Sequence, residues 1–169
     1  MAPEAWLRGP VAGIDPHLMP AAHALVQCRE DLAAAARELT KDQLWARPGG
    51  AASIGFHLRH VAGSIERLLT YARGEALSDA QRRAGGTEET PGDAQDPAAL
   101  LAGVSAAVDA ALAQLRATGS ATLLEPRAVG RAGLPSTVLG LVFHAAEHAQ
   151  RHTGQVIATA KVVRALIET

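Results

Sequence analysis

The sequence predicts an all-α protein, an up-down four-helix bundle, and three observations support this prediction. Aromatic residues make up 3% of the chain, whereas alanine and leucine are abundant, a composition that favours closely packed helices over sheets. Four segments repeat apolar residues every three or four positions, which is the period of one helix face. The length of 169 residues is that of one ordinary domain, so we expect residues 1–169 to form a single bundle.

The first two helices are predicted from their apolar period and from the residues at their ends. The first covers about 20–39 and has a proline at its start, where proline is tolerated. The second begins after Ser53, a residue type that caps helix N-termini, and ends at about Arg73, before Gly74. Trp45 lies in the connection between them, and a tryptophan there is more often a core residue than a substrate platform.

The last two helices are predicted in the same way. The third opens with Asp96 as the N-cap and Pro97 at the first helical position, and it closes at Gly119. The fourth runs from Pro135 or Ser136 almost to the C-terminus.

Two connections are long. The segment of about 74–95 mixes polar residues with glycine and proline, and a structureless loop of that length inside a compact domain is either mobile or functional. The segment 120–135 shows no period, so we expect it to be irregular.

Charge and cysteine content restrict the class of protein. The 16 basic and 17 acidic residues leave a net charge of −1 without any basic stripe, which argues against a nucleic-acid partner. Cys28 is the single cysteine and cannot form an internal disulfide, so a reducing compartment is expected. We find no export signal and no uncharged apolar run long enough to span a membrane. These observations predict a cytoplasmic protein without a membrane partner.

Three of the seven histidines follow one another at a spacing of four in FHAAEHAQRHTGQ, residues 143–155. Side chains four apart lie on one helix face, so two imidazoles can converge on one ion, but the outer two of the three lie about 12 Å apart along the axis. Counted from the apolar stripe, His148 and His152 lie at the edge of the buried face, and His144 is the most exposed. The pair His148 and His152 is therefore predicted, with a third ligand from another helix.

The second helix offers two candidates for the third ligand in the sequence FHLRH. An ideal helix places His57 about 60° and His60 about 120° from the centre of the apolar stripe, which taken alone favours His57.

Two motifs resemble a known family, the DinB-like (DinB/YfiT) superfamily of metal-binding four-helix proteins. SIGFHLRHVAGSIERLL resembles the family's second helix, and the alignment of its serine, aliphatic and glycine residues places the metal-binding histidine on His60. HAAEHAQRHTGQV resembles the family's His-x-x-x-His-Arg-Gly-Gln signature, which places the other two ligands on His148 and His152. The similarity spans most of the chain, with one departure at Thr153, where many members carry arginine.

The resemblance implies a function. Its members hold a divalent ion, often zinc or nickel, on three histidines with further positions open, and relatives often form homodimers. Such an ion acidifies a bound water and ionises a bound thiol. We therefore expect a metal-dependent hydrolase, or a transferase that uses a low-molecular-weight thiol such as mycothiol or bacillithiol, acting on an unidentified small molecule.

Other interpretations stay open from the sequence. The chain can be a non-enzymatic, stress-related metal-binding or structural module, or a bundle in which the histidines only pack. No general base is identified, because Glu147 is expected to face solvent. His57 and His144 are either donors beside the ion, alternate ligands or partly exposed helix residues, and Arg59, Arg151 and Gln155 can form the rim of a pocket.

Overall fold

Four long helices form a bundle in this computed structural model, which describes residues 3–92 and 96–167. The elements of the described chain are α1 (Met19–Ala36), α2 (Lys41–Trp45), α3 (Ile54–Ala72), α4 (Asp79–Gly85), α5 (Pro97–Ala117), β1 (Pro126–Val129), β2 (Leu134–Thr137) and α6 (Val138–Ile167). The long helices α1, α3, α5 and α6 surround one apolar core, and α3 packs between α5 and α6. The predicted all-α four-helix bundle is confirmed.

The direction of the helices differs from a simple up-down alternation. The Arg164 guanidinium donates to the carbonyl of Ala35 and the Gln150 amide donates to that of Ala24, so α1 and α6 are parallel. Near the C-terminal ends of α3 and α5, Gln114 donates to the carbonyl of Leu69, so these two helices are also parallel. The order is up-down-down-up, because the long segment after α3 returns the chain to the end of the bundle where α3 began.

Local capping fixes the starts of the two helices at which an N-cap was predicted. The Ser53 hydroxyl accepts a hydrogen bond from the Phe56 amide, and the Asp96 carboxylate accepts one from the Ala99 amide. Both groups satisfy amides that have no partner within the helix. These two predicted N-caps are confirmed.

The segment before α6 is a hairpin, so the prediction of an irregular 120–135 was wrong. β1 and β2 pair in antiparallel register, from Pro126 opposite Thr137 to Val129 opposite Leu134. The predicted start of the last helix at Pro135 or Ser136 is also corrected, because both residues belong to β2. Strands of four residues carry too little pattern for a period to show.

The long segment after α3 is partly ordered, which corrects the expectation of a structureless loop. It contains α4, which begins with a capping box between Ser78 and Gln81. The Gln81 amide also donates to the Thr70 hydroxyl and to Glu66 of α3, at 2.9 and 3.0 Å. Within 74–92 the chain is therefore attached to α3, while residues 93–95 lie outside the described part.

Helix α5 is apolar chiefly because it is rich in alanine. It is long and apolar enough to cross a membrane by length and composition alone, with a mean hydropathy of 1.7. Here it packs against α3 and α1 through buried Val104, Val108 and Leu112.

Candidate metal centre

The antiparallel packing of α3 on α6 brings four histidines together. The Nε2 atoms of His60 and His148 lie 2.9 Å apart, and the Nδ1 atoms of His57 and His152 also lie 2.9 Å apart. His60 follows His57 by three positions on α3, and its partner His148 precedes His152 by four positions on α6. Both spacings are one helical turn, so the two pairs stack along the interface.

The structure brings together the three residues predicted as metal ligands. His60, His148 and His152 each offer one ring nitrogen, and these three nitrogens all lie within 4.8 Å of one another. All three residues are half-buried, at the edge of the core. Their role as ligands stays a prediction, but their convergence is the arrangement that a tridentate site requires.

His60 is held from the side that faces away from His148. Its Nδ1 lies 2.7 Å from Oε2 of Glu88, whose other oxygen accepts a hydrogen bond from Arg67 Nη1 at 2.7 Å. Glu88 is only 6% exposed. Burial by itself acts to raise the pKa of this carboxyl, but the hydrogen bonds from His60 and Arg67 outweigh it and hold the pKa below its ordinary value.

His152 has a partner on α3. Its Nδ1 faces Nδ1 of His57, so one of the two nitrogens carries the proton and the other accepts it. When Nδ1–H of His152 is the donor in this pair, the lone pair of its Nε2 is available to the site. His57 is only 4% exposed, in agreement with the helix wheel, while His60, chosen by resemblance, belongs to the group of three.

His148 shows that the cluster suits a cation. Its Nδ1 is buried and has no hydrogen-bond partner among the described residues. If Nδ1–H of His60 donates to Glu88, the lone pair of its Nε2 faces Nε2 of His148. Either His148 donates there and keeps a buried acceptor without a partner, or two lone pairs face each other. A cation held by the two Nε2 lone pairs would remove the repulsion of the second arrangement, so the donor set fits a metal ion.

The lowered pKa values of three histidines also favour a metal site. Burial, followed by the nearby His60, lowers the pKa of His57 to about 4, and burial and the surrounding histidines lower that of His152 to about 4. Burial and His60 also lower the pKa of His148. Neutral imidazoles at pH 7 offer lone pairs, which is the form that binds metals.

Phe56 forms an aromatic wall beside the cluster, which the sequence reasoning did not identify. Its ring stacks on that of His60 with centroids 5.2 Å apart and an interplanar angle of 14°, and it forms an edge-to-face pair with the ring of His57. The stacking limits rotation of the His60 ring.

The remaining candidates lie at the rim of the cluster. His144 is exposed, its ring centroid lies 5.4 Å from that of His148, and its Nδ1 is 2.7 Å from Glu147. Glu147 also accepts from Arg151, which makes it part of a surface network, as expected for a solvent-facing carboxylate. Arg59 donates to the carbonyl of Thr90 in the segment after α4.

Thr153 and Gln155 do not take part in the cluster. Thr153 is buried, and its hydroxyl donates to the carbonyl of Ala149 at 2.8 Å and lies 3.1 Å from Sγ of Cys28 on α1. It therefore packs on the side of α6 that faces α1. Gln155 is exposed.

Trp45 has the structural role that was expected. A Cβ atom at Gly55 would lie 2.7 Å from its indole ring, so the ring lies directly against the first turn of α3. The side chain packs against the core and supports the helix that carries His57 and His60.

A separate cavity of about 610 Å³ lies between α3 and α5. Alanine and glycine residues of α5 form one wall, and Glu88 lines it, but none of the four histidines does so among the described residues. Glu88 therefore stands between the cavity and His60.

Comparison with known proteins identifies the family. The model of the DinB superfamily matches residues 24–156, a range that includes all four clustered histidines. A comparison with curated proteins gives no match.

Proposed function

Because the chain belongs to the DinB superfamily, we propose that it is a metal-dependent enzyme whose divalent ion is held by His60, His148 and His152. The reaction we propose is hydrolysis, or transfer of a low-molecular-weight thiol of the mycothiol or bacillithiol type to a small electrophile. We further propose that it acts in the cytoplasm as a homodimer, on a small-molecule substrate and without nucleic acid or membrane.

One observation carries the proposal: three imidazole nitrogens from two helices lie within 4.8 Å of one another, and two of the rings are held from behind. Glu88 holds His60 and His57 holds His152, each at the Nδ1 atom. Metal-ligating histidines almost always have such a partner on the second ring nitrogen.

The ligand set determines which ions and which chemistry suit the site. Imidazoles alone suit zinc, nickel, copper or iron, and of these we propose zinc or nickel. A divalent ion held by three neutral ligands keeps its full charge and supplies Lewis acidity to a water or thiol. Among the described residues no carboxylate or cysteine joins the group of three. We therefore propose that further positions on the ion are open to a water or a thiol.

The chain's own residues would orient the site and limit access to it. Phe56 covers one face of His60. His144 and Arg151, joined through Glu147, stand at the solvent side of His148. A substrate or thiol would therefore approach past a rim that carries both charges and reach a centre walled by the core.

A second candidate is a metal-holding module without a reaction, and His57 is the observation that favours it. The ring of His57 is buried beside His152, so a change of its rotamer could add a fourth protein ligand. Structural zinc sites are closed in this way, whereas catalytic sites keep an open position.

The first test is elemental analysis of protein purified without an affinity tag. We expect about one zinc or nickel ion per chain in the parent and none in the His60→Ala/His148→Ala double variant. The matched control is His144→Ala, which removes an exposed histidine of the same helix and should keep the ion. A parent that contains no metal and takes up neither zinc nor nickel on dialysis contradicts the proposal.

The second test separates the enzyme from the module. Cobalt-substituted protein should show a visible spectrum that shifts when thiols or small anions are added, because an open position exchanges its ligand. A spectrum that responds to no added ligand, but changes in His57→Leu, supports the closed module instead. Protein with a responsive spectrum is then assayed with ester substrates and with electrophiles plus each thiol, which distinguishes hydrolysis from transfer.

A further inference from the structure

Glu88 reaches the histidine cluster from the segment between α3 and α5, and its position gives it a specific role. We propose that Glu88 is a positioning residue, which fixes the His60 ring so that Nε2 points at the metal. This inference rests on the proposed function, because it assigns a role at the same site. It concerns a residue 28 positions away from His60, outside both histidine motifs.

The geometry excludes direct contact between Glu88 and a substrate on the ion. Oε2 of Glu88 is 2.7 Å from Nδ1 of His60, whereas Nε2 of His60 faces Nε2 of His148. The two nitrogens of an imidazole point away from each other, so the carboxylate lies behind the ring. Accepting the Nδ1–H bond selects one tautomer and leaves the Nε2 lone pair for the metal.

The segment that carries Glu88 is fastened to α3 on both sides of it. Upstream, Gln81 of α4 donates to Thr70, and downstream, Arg59 donates to the carbonyl of Thr90. Arg67 donates to the second oxygen of Glu88 at 2.7 Å. These bonds fix the carboxylate in place and balance its charge, although it is buried.

Gly63 supplies the space for this arrangement. A Cβ atom at this position would lie 2.6 Å from Oε1 of Glu88 and 2.6 Å from Nη1 of Arg67. A side chain there would displace both groups. The absence of a side chain at Gly63 therefore allows the Glu88 carboxylate to lie close to α3.

A purely structural role predicts a different outcome. If Glu88 served only as the partner of Arg67, loss of either residue would loosen the segment to the same degree and affect the histidines equally. If Glu88 acts through His60, loss of the carboxylate changes the state of the His60 ring, and loss of Arg67 leaves the Glu88–His60 bond in place.

The main experiment measures zinc affinity by competition with a chromophoric chelator in the full-length protein. We expect Glu88→Gln to weaken zinc binding by roughly 10- to 100-fold, the usual effect of losing such a partner. Glu89→Gln is the matched control, because it makes the same change at the neighbouring, exposed residue, and its affinity should stay within about 2-fold. Arg67→Met should weaken zinc binding less than Glu88→Gln does, because the Glu88–His60 bond remains in place.

Gly63→Ala tests the position of the carboxylate without changing any charge. Alanine favours a helix more than glycine does, so the fold should be retained. We expect zinc affinity to fall because the new methyl group displaces Glu88. Gly103→Ala, a glycine of α5 with open space around its Cβ position, is the control and should bind zinc as the parent does.

A spectroscopic readout follows the His60 ring directly. Nitrogen-15 spectra of the metal-free parent, assigned with His60→Gln, should show the proton of His60 on Nδ1, and this signal should move in Glu88→Gln but not in Glu89→Gln. An unchanged tautomer together with unchanged zinc affinity in Glu88→Gln overturns the proposal. Equal losses of affinity in Arg67→Met and Glu88→Gln also overturn it, in favour of the structural role.

The outcome for the parent separates this inference from the proposed function. A parent that binds neither zinc nor nickel overturns the proposed function, and the positioning role along with it. A parent that binds zinc, with no effect of Glu88→Gln, overturns the role of Glu88 alone.

Discussion

The two flanks of helix α3 are built on different principles. The flank on α6 carries His57 and His60, whose rings meet His148 and His152 at nitrogen separations of 2.9 Å. The flank on α5 meets alanine and glycine residues and leaves a cavity of about 610 Å³. The α6 interface pairs imidazoles at short distances, whereas the α5 interface is formed largely by small apolar side chains and is loosely filled.

The difference shows that the side of α3 facing α6 carries the proposed metal site, whereas the side facing α5 leaves unfilled space. Half-buried imidazoles require partners at a fixed distance and angle, so the α6 flank tolerates little change. Small apolar side chains have no directional requirement, so the alanine and glycine wall of α5 can leave a cavity. Changes of equal size on the two flanks should therefore have different consequences.

The largest expected effect is on stability, from truncation on the α5 flank. Leu58 is fully buried and lines the cavity, so Leu58→Ala should lower the free energy of unfolding by about 2–5 kcal/mol. Urea denaturation measures this loss, and zinc stoichiometry should not change. Leu124→Ala, at a leucine that is 76% exposed, should cost less than about 0.5 kcal/mol. A comparable loss in both variants would contradict the packing assigned to this flank.

The next effect belongs to the α6 flank alone. Zinc at 100 times its dissociation constant should raise the free energy of unfolding by about 2.7 kcal/mol, because it binds the folded chain only. The increment should be the same in Leu58→Ala and absent in His60→Ala/His148→Ala. An equal increment in the double variant would mean that zinc binds elsewhere.

Two glycine-to-alanine substitutions should change the stability of the protein in opposite directions. Gly55→Ala should lower stability, since the new Cβ would lie 2.7 Å from the Trp45 ring, and overpacking costs about 1–3 kcal/mol. Gly103→Ala should raise stability by up to about 1 kcal/mol, because no heavy atom lies within 4 Å of its Cβ position and alanine favours the helix. Thermal unfolding measurements distinguish the expected loss of stability in Gly55→Ala from the expected gain in Gly103→Ala. A loss of stability in Gly103→Ala would show that the cavity wall is already filled.

The last prediction concerns Cys28 of α1, at the side of α6 that faces α1. Burial is the main cause that raises the pKa of its thiol to about 11, so at pH 8 only roughly one molecule in a thousand is a thiolate. The folded protein should react with a disulfide reagent far more slowly than protein unfolded in guanidinium. Rapid labelling of the folded protein would contradict the dry packing of this face.

The same shift has a predictable sign for stability. As the pH rises above 9, the thiol of the unfolded chain ionises and that of the folded chain does not, so the free energy of unfolding should fall between about pH 9 and 11. Cys28→Ala should lose this part of the pH dependence and serves as the control. Below pH 8 the shift should have no effect on stability.

The sequence predicted the parts of this molecule that depend on neighbours along the chain. The N-caps at Ser53 and Asp96 were identified because a cap is a bond within three residues. The pair His148 and His152 was identified because residues four apart share a helix face. His60 was selected by resemblance, where the helix wheel favoured His57, and the structure places His57 deeper and His60 in the group of three.

The parts that were missed depend on residues far apart in the sequence. The hairpin before α6 is held by pairing between short strands, such as Arg127 with Ser136, which no period reveals. Glu88 lies in a segment whose composition indicated only a loop, and its partners His60 and Arg67 precede it by more than twenty residues. Phe56, whose ring stacks on that of His60, was not singled out from the sequence.

By itself, then, the sequence determined the helical class, the capped starts of two helices and the pair of histidines on α6, because these depend on local spacing and local hydrogen bonds. Only the tertiary structure decided that α3 and α5 run parallel, that Glu88 stands behind His60, and that His57 meets His152. The reason is physical: the direction of a helix and the partner of a buried polar group are set by packing across the bundle. Spacing along the chain does not contain that information.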